Sequence, residues 1–472
     1  MVFANRKIYV KTVSRVLVLV LASGISLRAD VTMPQVFSDH AVLQHGLPVP
    51  VWGTAAPGEQ VTVSYLDQKQ SITAGTDGKW AVKLTALKAS QAGDLVVTGS
   101  NTLTFKDVVT GQVWVCSGQS NMALPVHNAS DQKNEIAAAD HPQIRLFTAP
   151  RKDIGGTWEV CSPQTVAPFS ATAYYFGRQL QETLKMPVGL INASVGGTPI
   201  SAWTANGGLY RSMIAPVVPY AISGAIWYQG EADARPTPQI SSSYETKLTN
   251  LIAGWRKNWG YDFPFAWAQL PNYQKRQQTP VEELSLWAPM REAMLKARSI
   301  PNTGMAITID LGGGDSAPLH PANKQDVGKR FAQWALAKVY GIPGVAESGP
   351  LPVKHEIKGR EVTVTFAHTD GGLVARGDAL KGFAITGEDH NWVWADARIE
   401  GEKVILSSTT VEKPVAVRYA WAENPFVSLY NGAGLPASPF RTDDFPLSDQ
   451  PIVPAAVKAP VAASPSPVPP VQ

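Results

Sequence analysis

Ser120 stands in the run Cys116-Ser117-Gly118-Gln119-Ser120-Asn121-Met122, directly after the apolar stretch Val113-Trp114-Val115-Cys116. The apolar stretch reads as a buried strand. Gly118 marks a turn, so Ser120 falls just past a strand's carboxyl end, where open parallel sheets gather ligands and chemistry. A serine hydroxyl in that place is a candidate nucleophile, and it needs a base, most often a histidine. The chain has 8 His. His40 and His45 fall in an N-terminal β-type region, and His355, His368 and His390 in a C-terminal one. His127 follows the serine too closely to arrive on another loop, and His141 precedes a strand, at its wrong end. His320 remains: it lies after a strand expected at 305–310 and before a helix expected at 326–340, at the same sheet edge as Ser120.

Acyl transfer also needs donors for an oxyanion. Two loops at that edge offer them. After a strand at 188–192 comes Ala193-Ser194-Val195-Gly196-Gly197-Thr198, whose glycines let a backbone N–H approach a ligand closely. After a strand at 224–228 comes Gln229-Gly230-Glu231, where Gln229 carries a side-chain amide. A turn serine or a Gly-Gly turn is common alone. A serine, a glycine loop, an amide and a histidine, each past a different strand end, form a set.

The elements that must hold this set alternate. Strands are expected at 113–116, 144–147, 188–192, 224–228, 264–270 and 305–310, and helices at 171–184, 244–259, 289–299 and 326–340. In the helix at 244–259, Leu248, Leu251, Ile252 and Trp255 form one apolar face. Such alternation predicts a parallel sheet covered on both sides over residues 109–342. On either side the pattern is different. Residues 30–108 hold short β-branched runs punctuated by Pro57-Gly58, Asp77-Gly78 and Gly99-Ser100, which predicts an all-β sandwich. Residues 343–446 return to β runs and predict a second all-β domain, and 447–472 are a Pro/Ala-rich segment that cannot build a core.

Composition narrows the classes further. With 472 residues, 44% hydrophobic and 17% charged, most of the chain should fold as two or three domains. A net charge of +3 without a dense basic stretch argues against nucleic acid as a partner. The 14 Trp suit a core and also suit stacking on sugar rings. Residues 1–29 have a basic front, the short apolar run Val16–Ala22 and a cut site after Ala29, the pattern of a secretory signal. The expected product is therefore secreted or periplasmic and free of the membrane after cleavage. Cys116 and Cys161 are too few for a disulfide framework, although a single bridge between them stays open. Metal-ligand spacings such as His-Glu-x-x-His or Cys-x-x-Cys and a phosphate-binding P-loop are not found, so no cofactor or metal is expected.

Gly118-Gln119-Ser120-Asn121-Met122, Gly196-Gly197-Thr198 with Trp203, Trp227-Tyr228-Gln229-Gly230-Glu231, and His320-Pro321 followed by Asn323-Lys324-Gln325 together resemble the sialate O-acetylesterase family, within the SGNH (GDSL-like) hydrolases. Met33–Asp39, and Arg418–Trp421 through Gly434–Arg441, resemble that family's flanking β regions, so the likeness extends over roughly 31–446. It implies an α/β fold: an SGNH-type three-layer parallel-sheet hydrolase domain flanked by N- and C-terminal all-β domains. It implies Ser120 as nucleophile, His320 as general base, and an oxyanion hole from the Ser120 and Gly197 N–H groups and the Gln229 amide, with Gly196 beside them. Glu231 and Asp310 are expected to be structural. The third triad member departs from the family pattern. Ala317 and Pro318 occupy the places where an Asp often stands, and Asp315 lies five residues before His320, behind Gly312-Gly313-Gly314. Either Asp315 reaches the imidazole, or the site is a Ser–His dyad with a backbone carbonyl orienting the ring.

The expected activity is removal of O-acetyl groups from a carbohydrate, either sialic acid or a plant polysaccharide such as xylan or xyloglucan, through an acetyl-serine intermediate. The alternative is a carbohydrate-binding protein with a catalytically degenerate esterase domain.

Overall fold

The structure is a computed structural model; it describes Met1 and residues 30–151 and 155–450. The secretory signal expected at 1–29 and the segment beyond 450 lie outside the described residues, Met1 apart. Residues 447–450 are described, and the first two touch the body: Leu447 packs against the cluster that holds Trp421, and the Gln239 N–H donates to the Ser448 carbonyl, while Asp449 and Gln450 are exposed.

The central sheet is formed by β1 (Thr102–Gly118), β2 (His141–Thr148), β3 (Trp158–Cys161), β4 (Val188–Ser194), β5 (Gly224–Tyr228), β6 (Phe265–Gln269) and β7 (Thr303–Ile307). Their order is β7-β6-β5-β1-β4-β2-β3, and every pairing is parallel except that of β3 with β2. β5 and β6 are buried at every residue, which explains why they read as unbroken apolar runs rather than alternating ones. The helices are α1 (Ser120–Ala123), α2 (Ala171–Leu184), α3 (Tyr244–Trp259), α4 (Trp287–Lys296) and α5 (Gln325–Trp334). α2 packs on α5 and α3 on α4. α2 and α3 have the ends expected from sequence. α2 starts at Ser170, whose side chain accepts from the Ala173 N–H, and α3 stops at Gly260, whose φ of +82° is the left-handed cap that glycine suits.

β1 is longer than the sequence pattern suggests. Its first half pairs antiparallel with Ala92–Thr98, and its second half pairs parallel with β4 and β5. The composition shift near residue 109 therefore falls inside one continuous strand. A single buried apolar cluster runs from Val31 to Leu351 across that point. Ahead of it, Val49–Thr54 pairs with Lys79–Leu84, and both alternate buried with more exposed positions.

Beyond the parallel sheet, antiparallel sheets occupy the stretch from Leu351–Lys358 to Phe440–Arg441 around a second apolar cluster. Arg291, fully buried on α4, joins this region to the end of β6. Its guanidinium donates to the Leu270 and Pro271 carbonyls on one side and to the Ala422 and Glu423 carbonyls on the other. Most tryptophans, Trp114, Trp203, Trp227, Trp255, Trp267 and Trp421 among them, are core residues, and Trp394 alone among them is exposed. Cys116 and Cys161 are both buried free thiols, and burial pushes the Cys161 thiol up to about 12. Among the described residues, no helix is long and apolar enough to cross a membrane.

Candidate active site

β1 lies at the middle of the sheet with β4 and β5 on either side, so the loops after those three strands are neighbours at one edge. Gly118 ends β1 with a φ of +137°, and a β-carbon there would stand 2.1 Å from the Tyr228 carbonyl oxygen. Only glycine fits so close to β5. Next, the Gln119 N–H donates to that same carbonyl, and Ser120 opens the short helix α1. The Ser170 hydroxyl at the start of α2 donates to the Met122 carbonyl at 2.6 Å, and the Thr172 hydroxyl to the Asn121 carbonyl at 3.2 Å. The turn that presents Ser120 is thus tied to β5 on one side and to α2 on the other.

His320 comes from the far edge, on the long loop between β7 and α5. Its Nε2 lies 2.8 Å from the Ser120 Oγ. For Nε2 to accept the serine proton, the ring hydrogen must sit on Nδ1. Burial, and next to it the Lys324 ammonium, hold the imidazole below its ordinary value of 6.5, which favours the neutral ring. Asp315 is not brought to the ring. It is exposed, its carboxylate takes no hydrogen bond among the described residues, and its backbone carbonyl accepts from the Arg276 N–H at 2.8 Å. No backbone carbonyl takes its place: among the described residues Nδ1 has no acceptor. Asp310 is held elsewhere, accepting both guanidinium ends of Arg330 at 2.6 and 2.9 Å.

The glycine loop after β4 passes directly beside the serine. A β-carbon on Gly196 would reach 3.4 Å from the Ser120 Cβ, while the corresponding position on Gly197, with φ +72°, faces open space. No protein acceptor takes the N–H of Ser120, Gly196 or Gly197 among the described residues. Gln229 differs from its expected part. It is fully buried, and its Nε2 faces three protein acceptors: Asp233 Oδ2 at 2.8 Å, Gln119 Oε1 at 3.1 Å and the Thr198 carbonyl at 3.2 Å. Its Oε1 accepts from the Tyr244 hydroxyl at 2.6 Å. Two amide hydrogens set among three acceptors leave none for an oxyanion. Gln229 instead joins the glycine loop, the Ser120 turn and its own loop.

A family model described as carbohydrate esterase, sialic acid-specific acetylesterase, matches residues 110–337. The crystal structure of a carbohydrate acetylesterase from Xanthomonas citri superposes with a TM-score of 0.82 at 36% identity, covering 88% of this chain and 100% of that one. The chain belongs to the sialic acid-specific acetylesterase family of carbohydrate esterases. Sialate O-acetylesterases of Rattus norvegicus and Homo sapiens are each 27% identical to it, over 83% of this chain and 90% and 88% of theirs. As an acetylesterase of this family, the protein is a carboxylic ester hydrolase.

Several residues that hold this candidate site together were not singled out from sequence. Asp233 accepts from the Gln229 amide, the Ile200 N–H at 2.8 Å and the Lys247 ammonium at 3.1 Å. Gln119 accepts, on Oε1, from Gln229 and from the Ala232 N–H at 3.2 Å. Lys324 is fully buried four residues after His320, and burial holds its ammonium down to about 7. The only sequence signal for any of them was position: Gln119 and Lys324 lie inside the family motifs.

Proposed function

We propose that the protein removes O-acetyl groups from a carbohydrate by a serine mechanism on an SGNH-type three-layer domain. The domain spans about 109–342, between all-β regions at 30–108 and 343–446. The observation that carries this is the 2.8 Å approach of His320 Nε2 to Ser120 Oγ at the carboxyl edge of a parallel sheet.

His320 Nε2 takes the proton as Ser120 Oγ bonds to the acetyl carbonyl carbon. The negative charge that develops on the carbonyl oxygen is met by the Ser120 and Gly197 N–H groups, with Gly196 keeping the approach open. The bond to the sugar oxygen breaks, that oxygen takes the proton from His320, and an acetyl-serine remains. Water then attacks the acetyl carbon and gives its proton to His320. Acetate leaves, and Ser120 recovers its hydrogen. Gln229 serves this by fixing the loops, and Glu231 and Asp310 are structural.

The relatives are named for acetylated sialic acid and for carbohydrate acetyl esters, and an O-acetylated sugar of either kind, sialic acid or plant polysaccharide, is the proposed substrate. A product exported to the periplasm or beyond would meet both. The test is acetate release from a chromogenic acetate ester and from a panel of acetylated glycans. The native chain should release acetate from at least one glycan, and Ser120→Ala should release none while unfolding at the same temperature. Turnover retained by Ser120→Ala would rule the serine mechanism out.

A further inference from the structure

Asn121 follows the nucleophile directly, and its side chain is fully buried. Its Nδ2 donates to the Leu319 carbonyl at 3.0 Å, the peptide that leads into His320, and to Glu231 Oε1 at 2.5 Å. Its Oδ1 accepts from the Lys324 Nζ at 2.6 Å. Both hydrogens and the oxygen of one amide are therefore engaged, and they join the loops that follow β1, β5 and β7. Lys324 is steadied in turn, its ammonium 5.3 Å from the centre of the Tyr228 ring. A second brace runs parallel: the Ser130 N–H donates to the Ala322 carbonyl at 2.8 Å, and the Gln325 amide to the Ser130 carbonyl at 2.6 Å. Against these ties stands the ring of His320, whose Nδ1 has no protein acceptor among the described residues.

We infer that Asn121, fixed between Glu231 and Lys324, is the positioning residue that aligns His320 with Ser120, the task an acidic third residue performs in a Ser-His-Asp triad. The inference rests on the serine–histidine reading above. In a triad the imidazole is oriented through its own Nδ1. Here the ring is placed through the peptide it hangs from, because the Leu319 carbonyl is pinned beside the nucleophile turn. The residue type follows from the contacts. A side-chain amide offers donors toward a carbonyl and a carboxylate together with an acceptor toward an ammonium, and asparagine carries it on a short stem. Aspartate would keep the acceptor, lose both donors and set a second carboxylate against Glu231.

The test compares Asn121→Ala and Asn121→Asp in the full chain, each alone and in a His320→Ala background, using a chromogenic acetate ester. Misplacing a reacting group by about an ångström costs on the order of 10²-fold in rate. Each single variant should lose about 10–10² in kcat with KM little changed. Neither should lower the residual rate of His320→Ala further, because no imidazole is left to align. An unchanged kcat, or an equal loss in both backgrounds, overturns the inference, the second because the residue would then act without His320. Should the Asn121 variants not fold, Lys324→Met removes the hold on Oδ1, and reading kcat on the pH plateau above the acid limb keeps its charge effect on His320 out of the comparison. It should lower kcat to a smaller extent, again only where His320 is present, and an equal effect in both backgrounds counts against the inference in the same way. If His320→Ala alone keeps full activity, the serine–histidine reading fails first and takes this inference with it.

Discussion

The Nε2 of His320 and the Oγ of Ser120 lie 2.8 Å apart although 200 positions separate them in the chain. β1 delivers one from the centre of the sheet, and the loop after edge strand β7 carries the other across the ends of β6 and β5. The pair is therefore only as well aligned as the ties between those loops, and the expectations below concern those ties.

The first concerns Asp315. In a Ser-His-Asp triad, loss of the acid lowers kcat by about 10⁴. Asp315 is exposed, and among the described residues its carboxylate takes no hydrogen bond. Asp315→Ala should leave kcat/KM within about twofold of the native value. A loss of a hundredfold or more would show that the carboxylate reaches the ring during turnover.

pH dependence follows from the surroundings of His320. Burial, and next to it the Lys324 ammonium, lower its pKa from 6.5. The proposed mechanism needs the neutral ring, so the acid limb of kcat/KM should have its midpoint below 6.5. Lys324→Met removes a nearby cation and makes the imidazolium less unfavourable. The acid limb of that variant should therefore move to higher pH, without fully reaching the value of a free histidine, since burial remains. A shift toward lower pH would contradict the electrostatic assignment.

Gln229 separates a structural amide from a catalytic one. Its Nε2 faces three acceptors, so Gln229→Glu turns a donor into a buried carboxylate beside Asp233. An unpaired buried charge costs roughly 3–5 kcal/mol. Denaturant unfolding should rank Gln229→Glu as the less stable variant and Gln229→Ala between it and the native protein. Gln229→Ala should also lose about 10–10² in kcat as the glycine loop loosens. A loss of kcat with stability untouched would instead mark a direct oxyanion donor.

The sequence pattern made the core of this site legible where side-chain type and backbone need coincide. The unbroken apolar runs read as buried strands, and the glycine that ends β1 announced the turn that lifts Ser120. Eliminating histidines by sheet edge left His320. What stayed illegible were contacts whose partners are set by the meeting of loops. Asn121, Glu231 and Lys324 have no periodicity to betray that they meet, and a lysine in a polar stretch reads as solvated. Asp315 looked reachable because glycines before it leave the loop free. In the fold, that loop is instead held by Arg276, whose N–H donates to the Asp315 carbonyl and whose guanidinium donates to the Gly314 carbonyl at 2.7 Å. Likewise, the composition shift near residue 109 suggested a seam, but backbone hydrogen bonding is indifferent to composition and β1 runs through it.

That uninterrupted strand makes the N-terminal β region more than an appendage. Residues 102–109 are zipped to Ala92–Thr98, and the same continuous strand ends two residues before Ser120. A chain shortened to begin at 109 would leave the root of β1 frayed and open to water. Recombination could swap the outer antiparallel layers more safely than it could graft this catalytic half onto a foreign leader.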